Sequence, residues 1–249
     1  IVANGDDENV QSVIASSFSR VIKFGFGREC DVILENVETC SSGTSFDVVK
    51  KDMKKSLQKS KFSVNLFGTF NVFNALGVII LARHNGISDK TIQEAFNSFK
   101  SVRRRLEYIG QVNGVSVYDD FAHHPTAIRE SISAIRKKHP KRRVIAIFEP
   151  RSNTSVLNIQ KNILIESFLE ADEVIITKLH RIEKIPEGRR LQIDQVLKSL
   201  HNENIIANEF SDVDGIIKHL KINCSSGDIV LIMSNGEFDN VHHRLLEAL

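Results

Sequence analysis

Cysteine is scarce in this chain and carries no pattern. Its three residues, Cys30, Cys40 and Cys224, are odd in number, widely spaced and form no CxxC pair. That excludes a disulfide framework of the secreted kind and points to a reducing, cytoplasmic compartment. Long hydrophobic runs are missing too. No stretch approaches the ~18 charge-free apolar residues that a membrane-spanning helix needs. The start has neither the basic nor the apolar segment of a secretory signal. A surplus of one charge sign is also absent, because 33 basic residues face 31 acidic ones, for a net charge of +2. A dedicated nucleic-acid binder carries a clustered basic surplus, so neither nucleic acid nor a membrane is an expected partner. Small anionic ligands need only a few local Lys or Arg and stay open. There are no internal repeats and no low-complexity tract. "GFGRE" holds Gly25 and Gly27 but no third glycine, and it reads as a turn rather than a phosphate loop. The chain lacks an initiator Met and opens within what reads as a strand, "IVAN", so it is expected to be a piece of something longer.

What is present is an ordinary globular composition, 41% hydrophobic, over 249 residues, a length that accommodates two domains. The first segment reads as a short strand, a "GDDEN" turn and a helix over 10–18, then strands over 21–24, 32–37, 46–49 and 62–67. The run "TFNVFNALGVIILARHNG" is apolar on nearly every side, which predicts a fully buried helix ending at Gly86. A second helix is expected over 89–99, with Ser88 as its cap. The lysine-rich "KKDMKKSLQKSK" reads as a solvated loop or helix face. "SVRRRLEYIG" looks like the join between segments. Beyond it, Asn113-Gly114 signals a hairpin. Helices are then expected over 125–138, 156–169, 191–201, 213–220 and 240–248. Strands are expected over 143–148, 173–177 and 229–233, with a short one at Ile205 and Ile206. Strands alternating with helices predict an α/β fold with a mainly parallel sheet covered on both faces.

In such sheets ligands sit beyond the carboxyl ends of the strands. Three polar stretches fall there: "YDDFAHHPT", "EPRSNTS" and "SNGEFDN". Asp120 is placed either to accept hydrogen bonds from a ribose or to cap the helix beginning at Pro125, where the helix dipole favours a carboxylate. The adjacent His123 and His124 are not needed for capping. No third ligand or HxxxH spacing supports a metal site, so nucleotide contact is the better reading. Arg151 is a five-donor fork suited to a carboxylate or phosphate, and Ser152, Asn153 and Thr154 are hydrogen bonders and natural caps. Of the adjacent Arg103, Arg104 and Arg105, one or two at most can point into a cleft. The Asp119-Asp120 pair also suggests a phosphoacceptor signalling module, but no aspartate stands at the end of a neighbouring central strand.

Together, "RRRLE", "YDDFAHHPTA", "EPRSNT", "SNGEFDNVH", "NGDDENV" and "GTFNVFNALGVIILA" resemble the Mur ligase family, the ATP-dependent enzymes that join amino acids or peptides to UDP-N-acetylmuramate. The resemblance implies that residues 1–107 are the later part of a central ATPase domain. It implies that residues 108–249 are a Rossmann-like C-terminal domain that binds the amino acid or peptide. It implies ATP and Mg²⁺ as cofactors, with Asn71 and Asn74 at the adenine, Asp120 and His123 at the nucleotide, and Arg105 as the catalytic contact to the phosphates. Arg151, Ser152, Asn153, Thr154 and Asn235 would hold the incoming substrate. Within the family the likeness is greatest to the branch that takes the murein tripeptide L-Ala-γ-D-Glu-meso-diaminopimelate in peptidoglycan recycling. The L-alanine-adding branch is the alternative, and a non-catalytic binding module is a third reading. Phe70 stands where much of the family has His. The family's GTxGKT-type phosphate loop is not in the sequence, and its metal ligands would lie upstream, so the chain by itself is expected to be inactive.

Overall fold

Short apolar strands and amphipathic helices need a shared layer to bury against, and this chain supplies two. The computed structural model describes residues 1–40, 42–51, 57–179 and 185–249. It divides into two compact units, Ile1–Ser101 and Val102–Leu249.

In the first unit, β1 (Val2–Asn4), β2 (Ile22–Gly25), β3 (Val32–Cys40), β4 (Gly43–Lys51) and β5 (Leu57–Val64) form a sheet in that spatial order. β1, β2 and β3 run parallel, while β3, β4 and β5 form an antiparallel meander. The strand expected over 62–67 thus begins earlier, and Leu66 and Phe67 lie beyond its end. Part of the lysine-rich run lies in β4 and β5, and residues 52–56 of it lie outside the described residues. Helix α1 (Glu8–Ile14) starts earlier than read, because Asp7 caps it by accepting from the Asn9 and Val10 amides. The "GFGRE" turn is held by Asp6, whose carboxylate accepts from the Phe26 and Gly27 amides at 2.6 and 2.9 Å.

Helix α2 (Thr69–His84) buries Val72, Ala75, Leu76, Ile79 and Ile80 against Phe46 and Phe62 of the sheet. Val78 and Leu81, however, are about half exposed, so the all-round burial expected from its apolar sequence does not occur among the described residues. One sheet covers only one side of a helix. Helix α3 (Asp89–Ser98) begins at the predicted cap, with Ser88 Oγ accepting from the Thr91 amide. Arg83 grips the Asp89 carboxylate with two bonds of 2.7 Å, and this hydrogen bonding holds the Asp89 carboxyl below its ordinary range.

In the second unit, the Asn113-Gly114 turn joins β6 (Glu107–Val112) to β7 (Val115–Asp120) as an antiparallel hairpin. Both turn residues have positive φ, 49° and 82°, as a two-residue hairpin of this hand requires. Then follow α4 (Pro125–Lys138), β8 (Val144–Phe148), α5 (Lys161–Ser167), β9 (Glu173–Thr177), α6 (Ile193–Asn202), β10 (Ile206–Phe210), α7 (Val213–Asn223), β11 (Ile229–Met233) and α8 (Val241–Ala248). The spatial order is β10-β9-β8-β11-β7-β6, all parallel except β6.

The period of two sorts the strand side chains into two cores. Val144, Ala146 and Phe148 join Leu231 and Met233 beneath Ile128 and Ile132 of α4, Phe168 just after α5 and Leu200 of α6. Ile145 and Ile147 join Val230 and Ile232 beneath Ile216 and Leu220 of α7 and Val241 and Leu245 of α8. Strands covered on both faces read as continuous apolar runs, which is why "VIAIF" and "IVLIM" are legible as strands. The helix expected over 156–169 is the main misreading here. Ser152 Oγ accepts from the Ser155 amide and folds "RSNTS" into a turn, and Leu157 pairs with Arg190 in an isolated bridge. Regular helix therefore begins only at Lys161, after a 3₁₀ turn over Asn158–Gln160.

Candidate functional site

The strand order decides where the three polar stretches meet. β11 lies between β7 and β8, and its last residue, Met233, stands in register with Asp120 on one side and Phe148 on the other. The stretches that follow Asp120, Phe148 and Met233 thus leave the sheet along one line. They are stitched together there. The Ser234 amide donates to the Asp120 carbonyl, and the Glu149 amide to the Met233 carbonyl, both at 3.1 Å. Ser234 Oγ donates to the Glu149 carboxylate and accepts from the Gly236 amide at 2.9 Å. Arg151 lies against Gly236, where an added Cβ would come within 2.8 Å of the arginine Cδ and Cζ. Asp120, Arg151 and Asn235, predicted from different parts of the sequence, are gathered on this edge. Among the described residues the buried Asn235 side-chain oxygen has no hydrogen-bond partner, which leaves an acceptor for something else.

A fourth component of this edge is the arginine turn. Arg104 and Leu106 hold positive φ, 58° and 48°, which non-glycine residues adopt at a cost. The turn is fastened by the Leu106 amide donating to Asp120 Oδ2 at 2.7 Å and the Phe121 amide donating to the Arg104 carbonyl at 2.8 Å. Arg104 Nε then reaches Asp119 Oδ2 at 3.1 Å, and its Nη2 reaches the Ser234 carbonyl at 2.6 Å. Arg105 is exposed, with its guanidinium 5.7 Å from the centre of the Phe121 ring. A cavity of about 570 Å³ opens beside the turn, lined by residues that include Arg103, Arg104, Asp119, Glu237 and His242.

Asp120 is only 2% exposed, and its carboxylate receives the Leu106 amide, the Ala122 amide at 2.8 Å and Ser131 Oγ at 3.1 Å. Burial raises its pKa, against the pull of those hydrogen bonds and of Arg105. The Asp120 side chain therefore organises the arginine turn from within, while its neighbour Asp119 lines the cavity. The cap of α4 is His124, whose Nδ1 accepts from the Thr126 amide at 3.4 Å, so one of the paired histidines does serve the helix. His123 Nδ1 lies 2.8 Å from the Phe121 carbonyl, and its ring meets the Phe121 ring edge-on. Ser152 is turned toward Ser155, while Asn153 and Thr154 are exposed. Burial lowers the His242 pKa, opposed by nearby Asp119. In the first unit, Asn71 Nδ2 donates to the Phe67 carbonyl at 2.7 Å, and Asn74 is exposed one turn along α2. Among the described residues, no group of three or more His, Cys, Asp or Glu is arranged to hold a metal ion. No helix among them is long and apolar enough to cross a membrane.

Sequence reasoning placed Asp119, Glu149, Ser234 and Gly236 at this edge within the three polar stretches, and Arg104 among three candidate arginines, but gave Arg104, Asp119 and Glu149 no individual role. A position at a strand end or in the arginine turn does not say which of two adjacent residues turns outward.

The family model for the Mur ligase glutamate ligase domain matches residues 104–236, and that for the Mur ligase middle domain matches residues 1–82. The chain belongs to the Mur ligase family. A UDP-N-acetylmuramate–L-alanine ligase from Caldicellulosiruptor saccharolyticus is 32% identical over 99% of this Mur ligase chain and 53% of its own length. The UDP-N-acetylmuramate–L-alanyl-gamma-D-glutamyl-meso-2,6-diaminoheptandioate ligase of Escherichia coli is 39% identical over 74% of this chain and 38% of its own. A murein peptide ligase crystal structure from Psychrobacter arcticus aligns with a TM-score of 0.70 and 32% identity, covering all of this chain and 50% of that one. The chain thus spans about half the length, or less, of these Mur ligase relatives.

Proposed function

We propose that this chain supplies the nucleotide- and acceptor-holding parts of an ATP-dependent ligase of peptidoglycan recycling. In this reading the ligase joins the tripeptide L-Ala-γ-D-Glu-meso-diaminopimelate to UDP-N-acetylmuramate through an acyl phosphate. The observation that carries the reading is the in-register edge at Asp120, Phe148 and Met233, from which an exposed-edge guanidinium, a buried unpaired amide oxygen and an arginine turn project together.

The chemistry asks little of the protein beyond position and charge, because both nucleophiles are substrates. Arg151 is suited to take a carboxylate of the incoming peptide, with the Asn235 oxygen available to an amine or amide N–H and Ser152, Asn153 and Thr154 at its flank. Arg105 has no carboxylate partner among the described residues, so its charge is available to a phosphate. In the first unit Asn71 and Asn74 are side-chain amides suited to an adenine; in the second His123 is suited to a nucleotide, and Asp120 would act through the arginine turn it anchors. ATP supplies the activation of the muramic carboxylate. Mg²⁺ is expected by family, but the described residues offer no cluster for it, so no step is assigned to metal ligands in this chain.

L-alanine as the acceptor is a second reading, favoured by the relative that matches 99% of the chain. Calorimetric titration of the protein with tripeptide, diaminopimelate and L-alanine separates the two. The tripeptide should bind most tightly, and Arg151→Ala should weaken it by about tenfold to a hundredfold, since a hydrogen bond to a charged group contributes ~1.5–3 kcal/mol. Preferential binding of L-alanine would select the second reading.

A further inference from the structure

Glu149 has no part in the roles above, yet it touches both loops that would hold the acceptor. Its side chain is 12% exposed. One carboxylate oxygen receives Ser234 Oγ, and the other lies 3.8 Å from Arg151 Nη1. Ser234 is itself fully buried and accepts from the Gly236 amide, so the carboxylate is tied through one hydroxyl to the loop that presses on Arg151. Only Pro150 separates Glu149 from Arg151, and it is buried, which stiffens the link between them. The 3.8 Å spacing attracts the guanidinium without taking one of its donors in a proper hydrogen bond. The arginine fork is thereby aimed while its donors stay available.

We propose that Glu149 is a positioning residue for the acceptor, fixing the direction of Arg151 and the seat of the loop after β11 with a single carboxylate. This rests on the reading of Arg151 as the acceptor contact. Glu149 does not touch the ligand; it acts through Arg151 and Ser234.

The test is a cycle of Glu149→Gln, Arg151→Ala and the double variant in the protein, titrated calorimetrically with the tripeptide and, separately, with ATP. Glu149→Gln keeps the shape and removes the charge. It should weaken tripeptide binding about 5- to 30-fold, the equivalent of ~1–2 kcal/mol, and leave ATP binding unchanged. The double variant should lose less than the product of the two single losses, because the part of the effect that runs through Arg151 is already gone once the arginine is removed. The Arg151 Nε–Hε resonance should shift in the free Glu149→Gln protein, which a ligand contact would not require. Ser234→Ala, which cuts the tie from the other side, should also weaken the tripeptide. If Arg151→Ala leaves tripeptide binding intact, the acceptor reading fails and this inference with it. If Arg151→Ala weakens binding and Glu149→Gln does not, only the positioning role is overturned. Losses that multiply in the double variant would overturn it as well, by making Glu149 a direct contact.

Discussion

Asp120 shows how one side chain can be central to a site without facing it. Its carboxylate satisfies two backbone amides and a hydroxyl, and one of those amides belongs to Leu106, a residue held at positive φ. Removing an acceptor from a buried donor costs ~1–3 kcal/mol for each donor left unpaired. Asp120→Ala should therefore lower the stability of the second unit by at least about 2 kcal/mol in urea unfolding. The pH dependence has a definite sign. Burial raises the carboxyl pKa in the fold, so its contribution to stability is full below the ordinary ~3.9 and declines as pH rises through the folded-state value. Asp120→Asn cannot ionise, so the stability difference between wild type and this variant should shrink as pH rises across that window. A difference that grows with pH would contradict the assignment. The adjacent aspartates were both legible as functional in "YDDFAHHPT". Their division of labour was not, because a strand turns successive side chains to opposite faces and the sequence does not say which face holds the helix carrying Ser131.

Among the elements, those with a strong local cause were readable to within a residue. α4 carries proline in its first turn, β9 and β11 are five-residue buried runs, and α3 follows a serine cap. The β6–β7 hairpin was marked by Asn113-Gly114, and the structure adds a second reason for the glycine. A Cβ at Gly114 would lie 3.1 Å from the Ser226 Cα and closer still to its side chain, in a backbone conformation with φ at 82°. Gly114→Ala should destabilise the hairpin by more than the ~0.4–1 kcal/mol that such a change gains where the conformation is compatible, with opposite sign. Thermal unfolding reads this directly, and an unchanged midpoint would mean that the turn relaxes. Elements set by a non-local partner were misread. α5 begins late because Leu157 pairs with Arg190 and the Leu191 amide donates to the Val156 carbonyl, and α2 exposes Val78 and Leu81 because only one sheet packs on it.

At the scale of the molecule, each unit has a core of its own. Phe46, Phe62, Leu76 and Ile79 pack within the first unit, and the two layers around β8 and β11 pack within the second. A fully buried Ile or Phe stabilises its own core by roughly 1.5–3 kcal/mol relative to exposure. Ile79→Ala should cost about 2–5 kcal/mol in the first unit. Amide exchange in β8 and β11 should stay as slow as in wild type. Faster exchange in those strands on Ile79→Ala would show that the two units unfold as one.

The sequence by itself determined the α/β class, the alternation that makes the second sheet mainly parallel, and the three polar strand ends. It did so because hydrophobic period, caps and turn residues are local properties of the chain. Only the tertiary structure decided that β11 inserts between β7 and β8. That placement joins Asp120, Glu149 and Ser234 across long stretches of sequence and fastens the arginine turn beside them. Those contacts arise from sheet order and from hydrogen bonds between distant residues, and no local preference encodes either.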